Sequence, residues 1–190
     1  MGGSAPDGSG TVAGRYRRLA AGFSARVEAV PEDRWASPSP CEEWTARDVV
    51  RHVVETSGHF FGLVGRPVPV GPSVDDDPRA AWAAARDAVQ AGLDDPEVAS
   101  LEFEGRAGRQ TFEQAIGRFI CADLVVHAWD LARAAGLDER LDPEAVHRVF
   151  EGMKAMEEMM RSSGAFGERV DVPDDADEQT RLLAFVGRRA

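Results

Sequence analysis

The stretch "ADLVVHAWDLARAAG", residues 122–136, decides how this chain is read. Its apolar residues recur with helical period, and Gly136 follows as a C-terminal cap. Asp123, His127 and Asp130 interrupt that run. At about 100° per residue the three fall on one side of the helix, beside Leu124, Val126 and Leu131. Cys121 lies about 200° round from Asp123, away from the polar stripe. Two acids and an imidazole on one stripe need partners, because burying them alone is expensive.

The helix that carries the stripe is expected to start near Thr111 and run to Ala135. Upstream, Tyr16, Leu19, Phe23, Val27 and Val30 recur at helical spacing, which places a helix over roughly 11–30. A proline-rich loop, "PEDRWASPSPCEEW", separates it from a second helix over about 46–64. Thr45 and Asp48 there resemble a capping box. Pro78 opens a third helix over about 78–93. Residues 98–112 change period: Leu101 and Phe103 alternate with polar neighbours, and Gly105 and Gly108 suit a turn, so a short hairpin or extended crossover is expected. Asp142 and Pro143 begin a further helix bearing Met153, Met156, Met159 and Met160, which are expected to pack in the core. A last short helix carries Leu182, Leu183, Phe185 and Val186. The fold class is therefore all-α: four main helices, one long crossover and extra C-terminal helices in a single domain over 11–190.

Composition narrows the functions. The chain has 190 residues, 43% hydrophobic and 29% charged, as expected of a globular domain. A formal net charge of −11 argues against nucleic acid as a partner. No apolar run approaches the roughly 18 residues of a membrane span. Residues 1–10, "MGGSAPDGSG", lack a basic n-region and an apolar h-region, and are expected to be a disordered tail rather than a secretory signal. Two cysteines, Cys41 and Cys121, make no disulfide framework and favour a reducing, cytoplasmic setting. Each is expected to be a small buried residue rather than a nucleophile.

His52 sits in the middle of the second helix among Val49, Val50, Val53 and Val54, with His59 seven residues on. An acid and a histidine at i, i+4 can grip one ion between successive turns, and an imidazole from a facing helix would supply a third ligand. Three protein ligands with an open fourth position are the catalytic form of such a site. The same spacing also suits a helix-surface ion pair worth about 0.2–0.5 kcal/mol, and His52 also suits a satisfied core histidine. Asp130, nearly two turns from Asp123, is better placed to hold an arginine or a backbone amide than an ion. Trp44 and Trp129 are expected as core anchors. His59 is either a base at the pocket mouth or a surface residue, and His147 is expected at the surface.

The patterns "PCEEWTARDVVRHVV" (40–54), "DLVVHAWDLARAAG" (123–136) and "FGERVDVPDDADEQTRLLAFVGR" (166–188) together resemble the actinobacterial branch of the DinB-like superfamily. More closely they resemble the N-terminal domain of mycothiol-dependent maleylpyruvate isomerase, over about residues 12–188. The resemblance implies a DinB-like four-helix bundle and a divalent metal, zinc in the isomerase. That metal is held by a histidine of the second helix and a Glu-x-x-x-His pair of the later one. Here His52 matches the first ligand and His127 the last, while Asp123 stands where the family commonly has Glu, one methylene longer. The isomerase carries a further C-terminal domain that contributes to its active site, whereas this sequence ends at Ala190, so the resemblance points to the metal site rather than to that isomerisation.

Two functions follow. The first is a transferase or isomerase with a divalent metal, zinc or nickel, that uses a small thiol such as mycothiol on an electrophilic substrate. It needs no protein cysteine, because a metal-bound thiol ionises near neutral pH. The second is a non-catalytic metal- or ligand-binding bundle that forms a homodimer through a helix face, such as the methionine-rich segment 153–160.

Overall fold

The computed structural model describes residues 10–105 and 107–190, so the tail expected over 1–10 lies outside the described residues apart from Gly10. The expected helices form where side chains satisfy their first N–H groups. Thr11 accepts from Gly14 N at the start of α1 (Val12–Ala29). Thr45 and Asp48 close a reciprocal capping box on α2 (Ala46–Leu63). Asp77 caps α3 (Pro78–Asp94), with proline at its first position. Each such cap contributes about 0.5–2 kcal/mol. A short helix, α4 (Pro96–Ala99), leads into the hairpin of β1 (Glu102–Gly105) and β2 (Gly108–Thr111), which pair antiparallel with Phe103 opposite Gln110.

From Thr111 the chain enters one continuous helical segment: α5 (Phe112–Ala115), a π-helical turn over Ile116–Ile120, then α6 (Cys121–Ala135). The sequence implies an unbroken α-helix here, and the π turn is a departure from it. One extra residue per turn offsets the face of α6 from that of α5. Gly136 ends α6 in the left-handed conformation at φ 72°, and Leu137 N returns to Ala132 O at 2.8 Å.

α1, α2, α3 and α6 pack around one core that includes Tyr16, Phe23, Val53, Trp82, Ile120 and Leu131. Thirteen of the fifteen residues of α6 are buried, leaving only Asp123 and Arg133 with appreciable exposure. The reason is a second core on its other side. Val125 and Val126 meet Val146 and Val149 of α7 (Pro143–Lys154), and Leu182 and Phe185 of α9 (Glu178–Phe185). A helix covered on all sides is apolar all round, which is why its few polar residues are informative.

The methionine segment differs from expectation. α7 ends at Lys154, and a separate α8 (Glu157–Ser162) follows. Met153 is buried, but Met156, Met159 and Met160 are only half-buried, because Ala155 and Met156 turn the chain away from the core. Beyond α9, Gly187 adopts φ 91°, and a Cβ there would lie 2.8 Å from the Cα and carbonyl carbon of Gly167. Both the dihedral and the contact require glycine. Gly187→Ala is expected to lower stability by about 1–3 kcal/mol, measured by urea denaturation.

Candidate metal centre

Among the described residues four polar or charged side chains are buried: Ser57, Gln110, His127 and Asp130. Ser57 is satisfied locally, its hydroxyl donating to Val53 O at 2.7 Å. His127 and Asp130 belong to the opening stretch and bond to each other, Nδ1 to Oδ2 at 2.9 Å. α2 brings His52 against them, with its ring 4.8 Å from that of His127. Asp123, one turn before His127, places Oδ2 3.4 Å from His52 Nε2. Donor atoms of His52, Asp123 and His127 all lie within 4.8 Å of one another. The side chains of His52 and Asp123 are 34% and 24% exposed, so the cluster opens to solvent on their side.

Asp130 does what its spacing suggested, and its charge is fixed by its partners. Burial pushes its carboxyl up, but hydrogen bonds and charge from His127 and Arg188 outweigh that and hold it at about 2. It is an acceptor at all ordinary pH. A neutral His127 that donates to it from Nδ1 carries its lone pair on Nε2, where a cation could take it. A carboxylate behind a ligating imidazole fixes tautomer and ring orientation in this way. Arg188 Nε donates to Asp130 Oδ1 at 3.2 Å and Nη2 to Oδ2 at 3.0 Å, so the chain's C-terminal end is tied to the site.

Cys41 departs from the expectation of a small buried residue. It is half-buried and takes part in the same network: Arg188 Nη2 donates to its sulfur at 3.0 Å, and the thiol donates to Asp130 Oδ2 at 3.3 Å. Burial, and then the Asp130 charge, push the thiol up to about 12, so it stays protonated. Cys121 is buried on the far side of α6, its pKa also raised by burial. Neither cysteine is an ionised nucleophile at neutral pH.

Trp44 also departs from expectation. It packs against the core, but its ring lies 5.0 Å from His52 and 5.9 Å from His127 and forms a wall of the cluster. The loop before α2 sets it there, with Ser39 N donating to Trp44 O at 2.8 Å and Glu43 held at φ 63°. Trp129 is a core anchor, 1% exposed. His59 is exposed beside Phe60 and lies apart from the other imidazoles. His147 is at the surface, bonded to Glu178 at 2.8 Å.

Three groupings among the described residues bring ion-binding donors together, and the surroundings discriminate between them. Cys41, His127 and Asp130 converge, but the Arg188 guanidinium already bonds the Cys41 sulfur and the Asp130 carboxylate with a positive charge. His147, Glu151 and Glu178 are solvated, and Glu151 is taken by Lys154 at 2.6 Å. His52, Asp123 and His127 carry no arginine or lysine partner among the described residues, combine two imidazoles with one carboxylate, and have an orienting group behind one imidazole. That set fits a divalent cation.

Comparison with known proteins places the chain in a family. Residues 16–132 match the family described as the mycothiol maleylpyruvate isomerase N-terminal domain. The chain belongs to this family. The matched span runs from α1 through nearly all of α6, and so contains His52, Asp123 and His127. The family member is also 30% identical to an uncharacterized protein of Mycobacterium tuberculosis, found in strains CDC 1551 and H37Rv, over 91% of this chain and 95% of the relative. No solved structure matches it. Its fold is the all-α DinB-like bundle, and no helix among its described residues is long and apolar enough to cross a membrane.

Proposed function

We propose that this protein is a divalent-metal-dependent enzyme in which a small thiol of the mycothiol type acts on a small electrophile, by transfer or isomerisation. The observation that carries the proposal is the convergence of His52, Asp123 and His127 at a solvent-open point of the bundle, with Asp130 orienting His127 from behind. These three side chains would hold the ion, zinc or nickel by the chemistry of the donors. The ion supplies a positive charge that lets a thiol ionise near neutral pH.

The rest is done by the chain. His52 and Asp123 leave the site open on one side, and Trp44 walls it on another, so a small molecule approaches over an aromatic surface. The incoming thiol gives up its proton to solvent. Its sulfur then forms a bond to an electron-poor carbon, whose π pair moves to a conjugated oxygen. Rotation about the carbon–carbon bond that has lost its π character, followed by expulsion of the thiolate, completes an isomerisation; proton uptake at carbon instead completes a transfer of the thiol to the electrophile. No oxidant is consumed. Neither Cys41 nor Cys121 is needed, in keeping with their raised pKa values.

The test uses the cobalt-loaded Cys41→Ser, Cys121→Ser protein, in which serine retains the hydrogen bonds of Cys41. Added mycothiol, or a simple thiol analogue, is expected to produce sulfur-to-cobalt charge-transfer absorption that grows with pH as the thiol ionises. A cobalt spectrum unchanged at saturating thiol would remove the thiol chemistry and leave a metal-binding bundle.

A further inference from the structure

A cleft of about 1070 Å³ lies on the face of α6 opposite the metal centre. Gly117, Arg118, Cys121 and Ala122 line it from the π turn and α6, and α1, the hairpin and α7 close it. None of His52, Asp123, His127 or Trp44 reaches it. Its charge runs against that of the molecule. The chain carries −11, yet the lining holds five arginines, Arg15, Arg18, Arg109, Arg118 and Arg148, against two acids, Asp142 and Glu144.

The acids do little to neutralise it. Asp142 is engaged in capping α7, accepting from Ala145 N at 2.8 Å. Glu144 lies 3.6 Å from Arg148 as an exposed pair. Arg109 is turned to Glu102 of the hairpin. Arg15 donates to the backbone carbonyl of Gly117 at 3.1 Å, and among the described residues Arg118 makes no ion pair.

The backbone is shaped for this gathering of guanidinium groups. A π turn frees carbonyls from the helical ladder and often marks a functional position; here Gly117 O receives Arg15. A Cβ on Gly117 would lie 2.8 Å from Arg15 Nη2 and 3.1 Å from both Val12 methyls, so the bare glycine leaves room for that arginine to lie across the helix, and a larger residue would push its end aside. Between the arginines the surface is apolar, formed by Leu19, Ala122, Val149, Met153 and Met156. The wall also holds an unsatisfied amide. Gln110 is 5% exposed, and among the described residues its Oε1 meets no hydrogen-bond donor, a costly omission for a buried acceptor.

From these observations we infer that the cleft binds a small amphiphilic organic anion, a carboxylate or phosphate monoester carried on an apolar chain or ring. The guanidinium groups take the head group through charge-assisted hydrogen bonds. The apolar strip takes the body. Gln110 gains a donor if the ligand carries a hydroxyl or amide. The site stands apart from the metal centre and does not depend on its chemistry.

Calorimetric titration of the full chain with decanoate, decyl phosphate and decanol tests the inference. One or both anions are expected to bind once per chain, and decanol, with the same apolar body, to bind about tenfold more weakly or worse. Whichever head group binds more tightly identifies the source. Arg118→Gln with Arg148→Gln changes two exposed side chains, so folding is retained; it is expected to weaken anion binding about fivefold or more, and added salt to weaken it in wild type. Binding is expected to survive in chelator-treated His127→Ala protein. The inference is overturned if neither anion binds, if decanol binds as well as the anions, if the double substitution changes nothing, or if binding disappears with the metal site.

Discussion

Asp130→Ala is expected to lower the stability of the protein by about 3–5 kcal/mol, the usual consequence of removing one partner from a buried charge pair. The side chain is fully buried, and that of Arg188 is only 13% exposed. Truncation leaves a guanidinium without its carboxylate, takes the acceptor from His127 Nδ1, and leaves the Cys41 thiol without its partner. Asp130→Asn keeps the shape and one acceptor, so its cost is expected to be smaller, about 1–3 kcal/mol. Urea denaturation measures both. A purely structural aspartate would stop there. Because Asp130 also orients His127, the Asn variant is further expected to lose about 10–100-fold in metal affinity, as supporting partners of metal ligands generally do. Unchanged affinity in a folded Asn variant would separate the stability role from the site.

His127→Ala is expected to have the largest effect on metal affinity, greater than the roughly 10–100-fold that loss of a supporting partner brings. It removes a proposed ligand that is 6% exposed and held by a buried carboxylate, so no neighbouring mobile group replaces it. Arg188 still satisfies Asp130 in this variant, and helix content by circular dichroism is expected to be retained. Asp123 provides the complementary case. It is partly exposed and one methylene shorter than the glutamate common in the family, so Asp123→Glu is expected to retain or tighten metal binding where Asp123→Ala weakens it. Equilibrium competition with a chromophoric chelator gives the affinities.

The helices were legible because their causes are local. Threonine and aspartate caps, proline at first positions, glycine at the end of α6 and the alternation around Phe103 all lie within a few residues of what they specify. The convergence of His52, Asp123 and His127 was legible from spacing joined to family resemblance, since two lie on one helix and the third on a helix that packs against it. The π turn was not legible. It inserts one residue into an otherwise regular pattern, and Gly117 is the only local mark of it. Nor was the network behind His127. Arg188 is 58 residues from Asp130 and 147 from Cys41, and helical periodicity carries no information across such separations. Trp44 was legible as an aromatic packed on the core but not as a half-buried wall of the site, because its position depends on a loop with an unusual dihedral at Glu43. The half-buried methionines of α8 show the limit of composition: an apolar residue at helical spacing need not face the core when the helix itself has broken.

The central claim is that His52, Asp123 and His127 hold one divalent cation. Elemental analysis of the chain, purified without a histidine tag and without chelator, tests it most directly. Wild-type protein is expected to carry close to one equivalent of zinc or nickel per chain, and His52→Ala and His127→Ala to carry almost none while remaining helical. Wild-type protein free of metal that also fails to take up zinc or nickel on dialysis, or full occupancy retained in both variants, would contradict it.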